Sequence, residues 1–368
     1  MAWRRVAAER AQVILFSALM LPVLLGMTAL AVDVGSYADA KRTLQNASDA
    51  IALAAGRDMC TPNPADCSNT TAALATANSY ASKNGISANA MTVTFLGGNT
   101  APAVRVSITE SHRFAFAPII GINSKDVTAA ATAAKLSPGA LSGLMPWAIT
   151  QATVDASTPG QLVTIKQGAG GGTTGNYGAI DYDGTGANVY RDTIMHGSQT
   201  TVCAQGQPGC DTTGCPGPFP SPCAENAPSC TGPQCTSEPG NKVGPTDQGV
   251  AYRLSLTSSG CGSFSTTFTL QNGVYSVNPA CNPWGAGACP VPDDGATLCS
   301  RRVVVIPIVD QFGNGRKPVT ILGFAMFYLE GSSSGVVSGE FVRADVNVAG
   351  LAGAYNASSL ITFVRLVA

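Results

Sequence analysis

Residues 13–32, VILFSALMLPVLLGMTALAV, run for twenty positions without a charged side chain. At 1.5 Å per residue a helix of that length covers about 30 Å, the thickness of a bilayer's hydrocarbon core. A surface helix of a soluble protein carries a polar face, and this segment has none. It therefore reads as a membrane-spanning helix, in which Pro22 and Gly26 are tolerated. Arg4, Arg5 and Arg10 precede it, and Asp33 and Asp39 follow it. The positive-inside rule then makes residues 1–12 a basic cytoplasmic tail and places the chain from Asp33 onward outside.

A cleaved signal peptide would also have a basic start, and Ala29-Leu30-Ala31 offers a small-x-small cleavage site. The apolar run exceeds the roughly 7–15 residues usual in such peptides. The helical pattern also continues past it. Apolar or small residues recur at Val34, Tyr37, Ala40, Leu44, Ala47, Ile51 and Ala54, while Asp39, Lys41, Arg42, Gln45, Asn46 and Asp49 fill the other face. Steps of three and four residues are helical. The spacing predicts one helix over residues 12–58, about 70 Å long. Its first half lies in lipid, and its second half offers an Ala-rich stripe to a domain or a partner helix.

The same residues resemble the N-terminal TadG-like domain of the bacterial Flp (tight-adherence, Tad) pilus-assembly machinery. The likeness is carried by Arg10 and Gln12, the Leu21-Pro22 step, Ala31-Val32-Asp33-Val34-Gly35, Leu44-Gln45-Asn46-Ala47, Asp49-Ala50 and Ala52-Leu53-Ala54-Ala55. Ala11 stands where the family usually has Gly, and Phe16 stands where a prepilin-type cleavage site needs Glu. The helix is therefore expected to be retained. The resemblance implies a single-pass protein of the bacterial inner membrane with its main domain in the periplasm. It implies a non-enzymatic role in pilus assembly or adhesion. The implied partners are the membrane, pilin-like or pseudopilin helices and other Tad apparatus proteins.

Beyond the helix the expected fold class is α+β: a pilin-like helix with a small antiparallel sheet, then a mainly β, disulfide-rich exported domain. Residues 69–83 read as a short helix capped near Asn84-Gly85. Strands are expected at 91–95, 103–110 and 127–135, with a turn at Gly97-Gly98-Asn99 and the segment FAFAPIIGI (114–122) between the last two. Together these make a unit over 33–136 whose sheet and second helix would cover the stripe. Residues 136–143 read as a linker to a second unit, 144–368. Its strand candidates are 146–150, 161–167, 250–257, 264–271, 302–309, 319–330, 336–348 and 361–367. Pro307 weakens the central candidate, because proline donates nothing to a ladder.

The chain has twelve cysteines against two histidines. Cys60 and Cys67 bracket a short Pro-containing loop and read as a disulfide. Cys203, Cys210 and Cys215 recur twenty residues later as Cys223, Cys230 and Cys235, a short duplication lacking apolar residues for a core. Cys261, Cys281, Cys289 and Cys299 follow within the same insertion, 203–299. In an exported chain such cysteines form disulfides, whose pairing does not follow from spacing. Structural zinc prefers C-x2–4-C pairs, often with histidine; the close pairs here are C-x4-C, Cys210/Cys215 and Cys230/Cys235, but histidine is lacking and the expected compartment is oxidising. No metal site is expected, apart from one weak calcium candidate. In DYDGTGANVYRD (181–192), Asp181, Asp183 and Asp192 match EF-hand ligand positions, yet Thr185 replaces an acid and Asp183-Gly184 reads as a hairpin turn.

No catalytic constellation is expected. Gly331-Ser332-Ser333-Ser334-Gly335 fits a nucleophile-elbow pattern, but β-like runs flank it, so it reads as a hairpin loop. Gly168–Gly175 lacks the Lys-Ser/Thr of a phosphate loop. Asp293-Asp294 are sequence neighbours only, and His112 and His196 lack a nucleophile and carboxylate. A net charge of −1 with 12% charged residues excludes a broad basic face for nucleic acid. No cofactor or small-molecule substrate is indicated. Two other readings stay open: an adhesin outside any pilus system, and an extracytoplasmic hydrolase built on Asp181, Asp183, Asp192 and Asp310.

Overall fold

A computed structural model describes the chain except residues 1, 62, 64, 168–175, 182, 208–233, 258, 272, 284–299, 314, 346–349 and 368. The long helix is continuous as α1, Ala2–Arg57, roughly 80 Å from end to end. Its C-terminal half packs on α2 (Thr71–Lys83) and on a sheet formed by β1 (Met91–Leu96), β2 (Ala103–Arg113) and β3 (Ser124–Leu141). The buried stripe of α1 is Leu44, Ala47, Ser48, Ile51, Ala52 and Ala55. It meets Ala73, Ala77 and Ala81 of α2 and Val104, Val106, Ile108, Val127, Ala129 and Ala133 of the sheet. Small side chains let the two helices and the sheet approach closely. The predicted stripe is shifted at both ends. Val34 is exposed and Ala54 only half-buried, because a 3.6-residue helix drifts from a fixed row of threes and fours.

α2 ends as expected. Ile86 and Gly85 donate back to Ala81 and Ser82, and Gly85 takes φ 72°, the left-handed C-terminal stop. The C-terminus of α1 is capped from outside the helix. Lys135 of β3 is buried and donates its Nζ to the carbonyls of Arg57 and Met59, both at 2.7 Å. A cation there satisfies orphan carbonyls and opposes the negative helix end. Burial lowers the Lys135 pKa to about 8, against the pull of Asp345 and Asp58. The disulfide Cys60–Cys67 closes the turn that follows.

The stretch read as a linker, residues 136–143, is not one. β3 runs through it to Leu141. Pro138 sits where β3 faces a register shift in its partner strand, a position that tolerates proline. After β3 come β4 (Ile149–Thr150), α3 (Gln151–Ala156), β5 (Leu162–Lys166), β6 (Asn176–Asp181), α4 (Ala187–His196), β7 (Val202–Cys203) and β8 (Gln234–Pro239). Next are α5 (Val243–Ser255), α6 (Phe264–Thr267), β9 (Phe268–Gln271) and β10 (Val274–Val277). The chain finishes with β11 (Val303–Val309), β12 (Pro318–Ser333), β13 (Val336–Val342), β14 (Ala344–Asp345), β15 (Gly350–Gly353) and β16 (Ile361–Val367).

One sheet has the order β1-β2-β3-β16-β14-β10-β9, with β15 and β7 also on β3. The other is β4-β11-β12-β13-β5, extended by β8 on β12 and β6 on β8. The C-terminal strand β16 therefore joins the sheet that covers α1. Between the sheets lie Leu141, Leu144, Val303, Val305, Phe324, Met326 and Tyr328. On the far side of the second sheet Trp147, Val304, Ile306, Phe327 and Phe341 pack against α4 and α5. β11 is buried at all seven positions, as its β-branched run predicts. Pro307 is accommodated because β4, on the other edge, pairs only with Ile308 and Val309. The Ser334-Gly335 loop is a two-residue hairpin turn with φ 52° and 75°, the mirror-image turn that twisted strands favour.

Of the four α-helices described after β4, two fall where strands are expected. Residues 250–257 alternate like a strand, yet 243–255 form α5. Its buried face is Thr246, Gly249, Val250 and Arg253, at helical spacing but mostly small or polar. Gly249 is required there, since a Cβ would lie 2.8 Å from Ile194 of α4. Residues 264–267 form α6, so the strand expected at 264–271 is confined to β9.

Two half-buried carboxyls give the fold an acid-side stability signature. Burial and the neighbouring Glu330 push Glu340 of β13 from its ordinary 4.5 up to about 7. Burial pushes Asp345 of β14 from 3.8 to about 6, against the pull of Lys135 and Arg57. A raised folded pKa favours the fold below the unfolded value, and that contribution is lost as pH rises through the folded value. Denaturation midpoints of the full chain should therefore be higher near pH 5 than near pH 8, by roughly 1 kcal/mol after allowing for solvent at Glu340. Glu340→Gln should flatten much of this slope. A midpoint rising steadily from pH 5 to 8 would rule the assignment out.

Candidate membrane interface

From Ala18 onward α1 is long and apolar enough to cross a membrane. Phe16, Leu19, Met20, Leu21, Leu24 and Leu25 are exposed, with no described element packed over them. The single hydroxyl with a described partner there, Thr28, donates to the carbonyl of Leu24 at 2.9 Å, so it presents no free donor to an apolar solvent.

At the C-terminal edge of this segment Asp33 holds a loop. Its carboxylate accepts from the backbone N–H groups of Ala115 (2.8 Å), Phe116 (3.1 Å) and Ala117 (2.6 Å). Burial works to raise the Asp33 pKa. The Ala115, Ala117 and Phe116 N–H groups and His112 outweigh it and hold the carboxyl below its ordinary value. One turn further out, Ser36 Oγ lies 3.1 Å from His112 Nε2, and the Tyr37 hydroxyl donates to the Asp126 carbonyl at 3.3 Å. The rings of Tyr37, His112 and Phe114 form an edge-on cluster. An apolar groove of about 350 Å³ lies between α1 and the loop, lined by Gly26, Ala29, Leu30, Phe116, Ile119 and Ile120 among others. Asp33→Ala should release the loop. Amide exchange at 115–117 should quicken by roughly tenfold or more while exchange in the β2–β3 ladder is unchanged. Equal protection in both variants would show that the clamp is not what holds the loop.

The carboxylates considered as a calcium site do not converge. Asp181, at the end of β6, pairs with Arg316 at 3.0 Å, and Arg316 also binds Glu238, which pairs with Lys242 at 2.7 Å. Burial and Glu238 raise the Asp181 pKa. Asp183 accepts from the N–H groups of Gln199 and Thr200 and from the Thr193 hydroxyl, tying together the two ends of α4. Asp192 is an exposed residue of α4 beside Arg191. Residues 181–192 thus lead into a helix rather than a hairpin, with Gly184 and Gly186 at positive φ. Asp310 accepts from Gln311 and Thr320 in the β11–β12 turn. Among the described residues no group of three His, Cys, Asp or Glu side chains could hold a metal.

His196 meets the Tyr252 ring edge-on. Cys261 and Cys281 form a disulfide, and Cys203 is disulfide-bonded. Cys235 lies on β8 opposite Val319. Cys210, Cys215, Cys223, Cys230, Cys289, Cys299, Asp293, Asp294 and the glycine run 168–175 lie outside the described residues.

Sequence reasoning passed over Asp33 and the loop it holds. The available signal was nine uncharged residues, 114–122, between two strands and flanked by His112, Arg113 and Lys125.

Residues 11–58 match the family model for Flp pilus-assembly TadE/G-like domains. That match covers α1 from the start of its apolar segment to its last turn. No curated protein and no solved structure matches the chain.

Proposed function

We propose that this chain is a single-pass, membrane-anchored, non-enzymatic component of a Flp/Tad pilus apparatus, with its main domain outside the cytoplasm. The observation that carries this reading is the TadE/G-like match on a helix of two unlike halves. One half is apolar and exposed; the other is built into a sheet. Arg4, Arg5 and Arg10 against Asp33 and Asp39 support a cytoplasmic N-terminus. The cysteines support an oxidising compartment for the rest. The proposed organisation is a tail (1–12), a span (13–32), a TadG-like unit (33–136) and a β-rich unit (144–368) carrying the Cys-rich insertion 203–299, the two units being continuous through β3 and sharing a sheet through β16.

Pilin-like helices of the apparatus are the proposed partners. The Ala-rich stripe of α1 is already covered by α2 and the sheet, so a partner helix would meet the exposed membrane half instead. Deleting the gene should abolish pili and surface adherence, and the intact chain supplied in trans should restore both. Normal piliation in the deletion strain would overturn the reading.

A further inference from the structure

The loop 114–122 carries large apolar side chains at its tip, where surface loops are ordinarily polar. Ile119 and Ile120 are 85% and 76% exposed, and Phe116 and Ile122 are exposed as well. Three observations identify what covers them.

The first is depth. The loop lies beside Gly26, Ala29 and Leu30, which belong to the uncharged segment, and is held there by Asp33. From Asp33 to Gly26 is seven residues, or about 10 Å along a helix. The tip is thus at the level of the segment's outer end. The second is charge. His112, Arg113 and Lys125 flank the loop at the facing ends of β2 and β3, and Lys125 lies over the Tyr37 ring. With Asp126 beside Lys125, Arg113 and Lys125 still leave a net positive, aromatic collar above an apolar tip, the pattern that suits lipid phosphates over acyl chains. The third is order. Besides the Asp33 clamp, Phe114 donates to Asn123 and Ile122 to Ala117, so the tip is a preformed wedge.

We propose that residues 114–122 insert into the outer leaflet of the bilayer that α1 spans. They would give the exported domain a second membrane contact and fix its orientation to the bilayer surface. This rests on the membrane-anchor reading above.

The test uses the full chain in vesicles of phosphatidylcholine and phosphatidylglycerol, with tryptophan placed at Leu24, Ile119 or Leu270 in separate variants. Quenching of the parent chain's own tryptophans is measured and subtracted. With lipids brominated near the headgroup, Ile119→Trp should show a blue shift and roughly two-fold quenching, as expected of a side chain 5–10 Å into the interface. Leu24→Trp should respond to bromines deeper in the chains. Leu270→Trp, on β9 and exposed, should respond to neither. Quenching at 24 without quenching at 119 overturns the insertion and leaves the anchor standing. No quenching at either position overturns the anchor reading itself. A benzophenone side chain at 119 should crosslink to lipid; a crosslink to a second copy of the chain would overturn the lipid assignment.

Discussion

Replacing Ile51 by aspartate is expected to unfold the unit that the C-terminal half of α1 forms with α2 and the sheet. Ile51 is fully buried near the C-terminal end of α1, among Ala residues of α2 and Val residues of the sheet. The change removes a large apolar side chain and places a carboxylate where no described cation faces it. Loss of the isoleucine alone costs about 2–5 kcal/mol, and the buried acid adds to it. A domain with ordinary stability of about 5–15 kcal/mol would lose much of its margin. Thermal denaturation of the full chain in detergent should show a collapse of the transition, and the cellular level of the protein should fall. Arg42→Ala, on the exposed face of the same helix, should leave the midpoint within about 0.5 kcal/mol. A wild-type melt for Ile51→Asp would mean that the helix–sheet packing is wrong.

The second large effect is confined to the membrane. Leu21 and Leu24 are both exposed and lie near the centre of the uncharged run. Leu21→Arg combined with Leu24→Arg removes no packing within the fold. On the insertion scale, two arginines at the centre of a span cost about 5–7 kcal/mol. Membranes washed at alkaline pH should retain the parent chain and release the double variant, whose folded part beyond the apolar segment still melts normally. Full retention of the double variant would show that residues 13–32 do not act as the anchor. The two experiments separate the halves of α1: one breaks the fold and the other breaks only the attachment.

Much of this was legible because it is local. The uncharged run, the three-and-four spacing through Leu44 and Ile51, the β-branched run of β11 and the Ser334-Gly335 hairpin each depend on neighbours in sequence. The misread parts have their reasons in the residues. α5 buries Thr246, Gly249 and Arg253, whose side chains carry no apolar periodicity. The end of β3 contains Ser137, Pro138 and Gly139, which read as a linker in isolation. They are strand only because β15 supplies partners more than two hundred residues later. The carboxylates of 181–192 share a sequence pattern, yet Arg316 and the turn at Gln199-Thr200 claim them separately.

The sequence by itself determined that this protein has one long helix, apolar all round in one half and one-sided in the other, since hydrophobic periodicity is a property of consecutive residues. Only the tertiary structure decided that the one-sided half is consumed by the protein's own sheet. It alone placed Asp33 against the loop at 115–117, more than eighty residues away. Strand pairing and carboxylate capping join residues distant in the chain. Their choice is set by which partners satisfy buried backbone groups, and that is decided only when the whole chain packs.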